Sequence, residues 1–144
     1  MLVIFFSFTG TSISATLDDA FAFVLAGEAG WDGFVNHNVR GCEVTTTVDL
    51  SLLGLGNVKN TVDFNKVKWK SARYGVVNGQ QMFIASCEGK CNMTPNEDFK
   101  LLMAMSGSPW NDNQLMIQVT VTRDRYEKAL KMVARECPGV ETAF

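Results

Sequence analysis

Four cysteines are the residues of this chain whose type and spacing could most directly do chemistry, and they are Cys42, Cys87, Cys91 and Cys137. Zinc sites favour Cys-x2-Cys pairs or nearby histidines, whereas this chain has a Cys-x3-Cys spacing and a single histidine. A thioredoxin-like redox site also needs Cys-x-x-Cys, at the start of a helix. An even set of cysteines in a small chain is instead typical of structural disulfides in an exported protein.

The predicted positions of the cysteines favour one pairing. Cys42 lies on the buried face of a predicted strand, and Cys137 ends the apolar stripe of a predicted helix, so both sulfurs are expected to point into the core. Cys87 and Cys91 are then left to close their own turn. These arguments favour Cys42 with Cys137 and Cys87 with Cys91, but they do not exclude the other pairings that four cysteines allow.

The remaining ionisable residues give no sign of a catalytic site. Most acidic side chains fall at predicted helix starts, in turns or on outer strand faces, where solvation is expected. His37 lies in a predicted loop over residues 28–38, as a solvated or singly hydrogen-bonded ring. The sequence has no phosphate-binding glycine loop, no nucleophile elbow and no His-Glu-x-x-His motif. We therefore expect a protein that is not an enzyme and that uses no metal or cofactor.

The composition is that of one globular domain. The chain has 144 residues, of which 47% are apolar and 19% are charged. This length supports one domain with a real core, and these fractions are typical of folded proteins. The formal net charge of −2 gives no electrostatic reason to expect a nucleic-acid partner.

The first 15 residues, MLVIFFSFTGTSISA, form an apolar run followed by small residues. The run is shorter than the roughly 20 apolar residues of a transmembrane helix, so we expect no stable span. Although no Lys or Arg precedes it, the pattern is that of a secretory signal peptide. We expect cleavage after Ser14 or Ala15, export to the periplasm or cell envelope, and one globular domain over residues 16–144. An upstream start or a buried N-terminal strand are the alternatives.

Asn78-Gly79 is the strongest local structural signal. Between strand-forming residues, this pair predicts a two-residue type I′ hairpin, because both turn positions need a positive φ. The turn sets a register in which Tyr74 faces Phe83 and, further along, Lys70 faces Cys87.

The order of predicted elements indicates an α+β fold. Alternating apolar residues predict further strands at 42–50, 58–66, 99–106 and 115–121. Helical spacing predicts a helix from Thr16 to Gly27 and a closing helix from Thr122 to Cys137. The expected fold is thus an N-terminal helix, an antiparallel β-meander of about five to seven strands, and a C-terminal helix packed on it. The meander is compatible with a pleckstrin-homology-like barrel or with a curved open sheet, an analogy that carries no function.

Two tryptophans are the candidate recognition residues. Trp110 lies between Pro109 and Asn111 in a segment of polar turn formers, and Trp31 lies in the predicted loop over 28–38. Tryptophans at exposed positions often anchor binding partners. The alternative, which applies to both, is a ring that packs inward beneath its loop.

Three short motifs of this chain stand out: the first strand begins at Cys42, a middle strand reads Asn60–Val67, and a helix containing Tyr126–Leu130 runs into Cys137-Pro138-Gly139. They resemble motifs of small exported proteins of unknown function from alphaproteobacteria. The resemblance spans residues 40–139. It implies a periplasmic or cell-envelope setting and a Cys42–Cys137 pair, and it implies no catalytic residue.

We therefore expect a non-enzymatic exported domain that binds another protein or an envelope component. One alternative is a periplasmic immunity protein that blocks a toxin directed at the wall or membrane. The other is an enzyme with a dispersed site, which a cleft containing two close carboxylates would favour.

Overall fold

A computed structural model describes residues 17–26, 35–105, 107 and 110–139 of the protein. Within these residues the chain forms an N-terminal helix, two antiparallel sheets and a C-terminal helix, with one further helix before the last strand. The predicted α+β class is confirmed. The signal-peptide-like segment over residues 1–15 and the candidate residue Trp31 lie outside the described residues.

The elements follow one another in an order close to the predicted one. The helices are α1 (Leu17–Ala26), α2 (Glu97–Met105) and α3 (Arg123–Glu136). The strands are β1 (Val35–Arg40), β2 (Glu43–Leu50), β3 (Gly56–Asp63), β4 (Arg73–Val77), β5 (Gln80–Ser86), β6 (Asn92–Met93) and β7 (Gln114–Gln118). One sheet has the strand order β1-β2-β3-β6, and the other has the order β4-β5-β7.

The hairpin forms at the predicted turn. Asn78 and Gly79 have φ values of 52° and 78°, and Tyr74 faces Phe83 as the turn requires. The ladder ends earlier than predicted because Trp69–Ser71 forms a 3-10 turn. The expected pairing of Lys70 with Cys87 is therefore wrong, and Cys87 instead forms an isolated bridge with Val67.

The predicted strand at residues 99–106 is wrong, because this segment belongs to helix α2. The amide of Phe99 donates a hydrogen bond of 2.7 Å to the side-chain oxygen of Asn96, which is the geometry of a helix N-cap. Glu97 and Asp98 follow in the first turn, where the helix dipole stabilises negative charge. The apolar residues of this segment are compatible with either a strand or a helix. The N-cap at Asn96 decides in favour of the helix.

The predicted loop over residues 28–38 is also wrong in its last part. Strand β1 begins at Val35 and pairs with β2, so that His37 faces Thr46. Val35 and Val39 alternate with Asn36 and Asn38 in the pattern of a strand. The asparagines suggested a loop, whereas pairing with β2 satisfies the backbone groups of this segment.

The core lies between the sheets and the helices α1 and α3. A chain of neighbouring rings crosses it, with centroid separations of 5.1 to 6.4 Å, and contains Phe21, Phe64, Trp69, Phe83 and Tyr126. The Tyr126 hydroxyl donates a hydrogen bond of 3.0 Å to the carbonyl oxygen of Val24. This bond joins α3 to α1 and satisfies a carbonyl in the last turn of α1 that has no partner within its helix.

Two disulfides tie the elements together. Cys42 is bonded to Cys137 with a Cα–Cα distance of 5.9 Å, which links the start of β2 to the end of α3. Cys87 is bonded to Cys91 with a Cα–Cα distance of 6.0 Å, which closes the turn between β5 and β6. This is the pairing that the sequence arguments favour.

The two sheets do not close into a barrel. On one side, the isolated bridge between Val67 and Cys87 joins the two sheets. On the other side, β6 pairs with β3 only at Thr61 and Val62, and no ladder connects β3 or β6 to β7 within the described residues. An opening therefore remains between β3 and β7.

Candidate functional site

The opening between β3 and β7 starts at a junction near the second disulfide. The amides of Cys91 and Asn92 both donate to the carbonyl oxygen of Asp112, at 2.8 and 3.1 Å. The side-chain Nδ2 of Asn92 then donates to the carbonyl oxygen of Gln114 at 3.2 Å. Beyond this point the edges of β3 and β7 are not paired, and the space between them is a cavity of about 380 Å³.

The walls of this intersheet cavity are mainly apolar. Strands β2 and β3, strand β7, the end of α1 and the start of α2 all contribute, through Leu25, Val48, Leu50, Val58, Val62, Phe99, Leu115, Met116 and Ile117. Four consecutive residues of β7, from Leu115 to Gln118, reach the cavity. Since successive strand residues face opposite sides, the cavity meets β7 along its edge.

A polar row crosses the inner face of the larger sheet at this cavity. His37 on β1, Thr46 on β2 and Asn60 on β3 are direct partners across the strands. The His37 Nδ1 and the Thr46 hydroxyl lie 2.9 Å apart and form a hydrogen bond. Burial lowers the pKa of His37 from its ordinary value of 6.5, because the charged ring is poorly solvated there. The row is therefore polar but uncharged at neutral pH.

Two asparagine oxygens at the cavity are buried without a hydrogen-bond partner among the described residues, namely Oδ1 of Asn60 and Oδ1 of Asn92. The bond from Nδ2 of Asn92 to Gln114 fixes the orientation of that amide, so its oxygen is the atom left over. Asn92 is only 8% exposed. A buried acceptor without a donor costs about 1–3 kcal/mol, which makes both oxygens suited to receive a donor from a ligand.

Trp110 lines the cavity and is held on two sides. Its indole Nε1 donates a hydrogen bond of 3.0 Å to the carbonyl oxygen of Asn92. Its ring meets the edge of Phe99 at a centroid distance of 5.6 Å. The side chain is half-buried. Part of the indole thus remains accessible, and the recognition role of Trp110 stays a prediction.

The cavity lining has no charged residue among the residues that the structure describes. It therefore offers no pair of carboxylates, the feature that would favour an enzyme with a dispersed site. No group of three or more His, Cys, Asp or Glu side chains suited to a metal ion occurs in the described ranges. This lining can bind an apolar group, and its two unpartnered amide oxygens can accept hydrogen bonds.

Of the residues that line this cavity, the sequence singled out Trp110 as a candidate, but not Asn60, Asn92 or Phe99. Asn60 carries a usable signal, because it interrupts the apolar alternation of Val58 and Val62 on the buried face of β3. Asn92 and Phe99 carry no such sequence signal, because their positions at the cavity depend on how the two sheets diverge.

Comparison of the chain with protein-family models, with curated proteins and with solved structures gave no match. No helix in the described ranges has the length and apolar character needed to cross a membrane.

Proposed function

We propose that this protein is a non-enzymatic binding domain that works outside the cytoplasm and holds part of another protein or an envelope component in the intersheet cavity. The observation that carries this proposal is the cavity itself, with mainly apolar walls and two buried acceptors that have no partner within the described part of the chain. Ligand sites are typically concave and apolar, with a few polar groups that orient the ligand.

The disulfides support the extracytoplasmic setting. All four cysteines are bonded, and such bonds persist mainly in oxidising compartments. The expected signal-peptide-like segment and the resemblance to small exported proteins agree with this setting. Mass spectrometry of the protein from the envelope fraction of its native host tests it. We expect an N-terminus at residue 15 or 16, whereas an intact N-terminus on protein recovered from the cytoplasm would contradict export.

Binding is tested with N-phenylnaphthylamine, an uncharged probe that fluoresces in apolar surroundings. We expect saturable one-to-one binding to the folded protein. Val58→Trp should abolish it, because Val58 lines the cavity and is 3% exposed, so the larger ring fills the space. Val76→Trp is the matched control, since Val76 is 73% exposed on β4.

Cooperative thermal unfolding must first show that both variants fold. Equal probe binding by the two tryptophan variants would overturn the proposal, because the probe would then bind elsewhere.

A further inference from the structure

We infer that the ligand of the intersheet cavity is an uncharged amphiphile, with an apolar body and a head group that donates hydrogen bonds through O–H or N–H. This inference rests on the proposed function and names the class of molecule that the same cavity takes. It is carried by the chemistry of the two asparagine oxygens and by a cavity lining in which none of the described residues is charged.

The two oxygens select a donor. Both Asn60 Oδ1 and Asn92 Oδ1 are acceptors, buried and without a partner in the described part of the chain. A head group that also offers only acceptors, such as an ether or a carboxylate, leaves them unsatisfied. A hydroxyl or a primary amide satisfies at least one of them.

The surroundings exclude a charged head group. None of the described residues that line the cavity is ionisable. Two titratable side chains lie nearby: His37 bonds to Thr46 and has its pKa lowered by burial, and Asp112, whose carbonyl bonds the Asn92 amide, is not among the residues that line the cavity. Lys59 neighbours Asn60 in sequence but is exposed, on the opposite face of β3. A buried ion without a counter-charge is strongly disfavoured, so an ammonium or a carboxylate is rejected.

The positions of the asparagines orient the ligand. The direct partner of Asn92 across the sheet is Val62, two residues from Asn60, so the asparagines are diagonal neighbours. Such neighbours lie about 7–8 Å apart, which suits a head group with more than one donor or an extended one. The apolar body then lies toward Val58 and Leu50, which line the rest of the cavity on this sheet. A volume of about 380 Å³ is in the range of small-molecule sites.

Displacement of N-phenylnaphthylamine by matched octyl compounds tests the inference. We expect octanol and octanamide to bind about tenfold more tightly than octyl methyl ether, because only they donate to the buried oxygens. Octanoate and octylammonium should bind at least as weakly as the ether.

Asn60→Leu isolates the role of the oxygen, since leucine keeps the approximate shape and removes the acceptor. In this variant the preference for octanol over octyl methyl ether should fall but not vanish, because the Asn92 oxygen is still there to accept a hydrogen bond. Asn57→Leu is the control, because Asn57 is exposed on the same strand and the preference should persist.

The possible results distinguish a failure of this inference from a failure of the proposed function. If the probe binds in the cavity but octanol and the ether bind equally well, ordered water meets the oxygens and the inference is overturned while the binding function stands. Tight binding of octanoate or octylammonium would overturn it as well. If neither the probe nor any octyl compound binds the folded protein, the proposed function itself fails.

Discussion

The indole Nε1 of Trp69 donates a hydrogen bond of 2.8 Å to the backbone carbonyl oxygen of Cys137. Carbonyl groups at the end of a helix have no partner within the helix, and this indole supplies one just after α3. Cys137 is also bonded through its sulfur to Cys42. The end of α3 is thus held by a covalent bond and by a buried hydrogen bond at one position.

Gly139→Ala should strongly destabilise this region. Gly139 has a φ of 72°, and a Cβ added there would overlap the carbonyl oxygen of Val67. Because the obstacle is backbone, the chain after α3 must move away, and we expect a loss of about 3 kcal/mol in the free energy of unfolding. Urea denaturation measures this loss.

Gly89→Ala is the control for that experiment. Gly89 has a φ of 84°, but a Cβ there would meet nothing within 4 Å. Only the backbone conformation is strained, so a loss of about 1 kcal/mol is expected. Similar losses for both variants would show that the close approach to Val67 does not matter.

The two disulfides should differ in their contribution to stability. The Cys42–Cys137 bond joins residues 95 positions apart, whereas Cys87 and Cys91 are 4 positions apart. The chain-entropy model gives roughly 4–5 kcal/mol for the long loop and about 2 kcal/mol for the short one. Replacing both cysteines of each pair by alanine, and comparing the melting temperatures, tests this difference. A larger loss for the Cys87–Cys91 pair would contradict it.

The hairpin and the closing helix could be predicted because their signals are local or strictly periodic. Asn78-Gly79 determines its own turn, and the spacing of Tyr126, Val133 and Cys137 places all three in the core, where each is at most 1% exposed. Helix α2 was predicted as a strand, and the cause of that error is also local. Its apolar residues alternate as they would in a strand, and only the structure shows that Asn96 caps a helix there.

The stability of the protein should fall as the pH drops below about 6.5, in part through His37. In the unfolded chain His37 takes up a proton near its ordinary pKa of 6.5, whereas burial lowers this pKa in the folded protein. Protonation therefore favours unfolding, and the stabilisation that is present above this pH is lost as the pH falls toward the folded-state pKa.

His37→Gln isolates this contribution, because the chain has one histidine and glutamine does not titrate. The free energy of unfolding of the parent minus that of the variant should decrease as the pH is lowered from about 7.5 to about 5.5. A constant difference over this range would show that His37 does not titrate differently in the folded state.

The cap of α2 should control the local stability of that helix. α2 has no buried side chain, and Leu101 and Met105 are 60% and 76% exposed, so little tertiary packing supports it. Removing the Asn96 acceptor with Asn96→Ala should cost about 1 kcal/mol. Amide hydrogen exchange in α2 should then be about fivefold faster than in the parent.

Asn96→Asp keeps the acceptor and should leave the exchange rates of α2 close to those of the parent. If the alanine variant also exchanges at the parent rate, the hydrogen bond to Phe99 contributes nothing to the helix.

The intersheet cavity could not be predicted, because it depends on a distance between strands that no local pattern encodes. The alternation along β3 and β7 places Val58 and Ile117 on buried faces, and both are indeed largely buried. Whether two such faces meet or diverge is decided by the junction at Asn92 and Asp112. That junction exists only in the folded chain.

The unequal lengths of the two disulfide loops have a consequence for the order of oxidation. In a reduced chain, the thiols of Cys87 and Cys91 meet as fast as a short loop closes, within about 100 ns, whereas those of Cys42 and Cys137 must close a loop of 95 positions, which is slower and costs more chain entropy. The short bond therefore forms early and takes its two cysteines out of competition for Cys42. An isomerase that reopens this bond too readily would slow maturation, and one that corrects a premature Cys42–Cys87 bond would speed it.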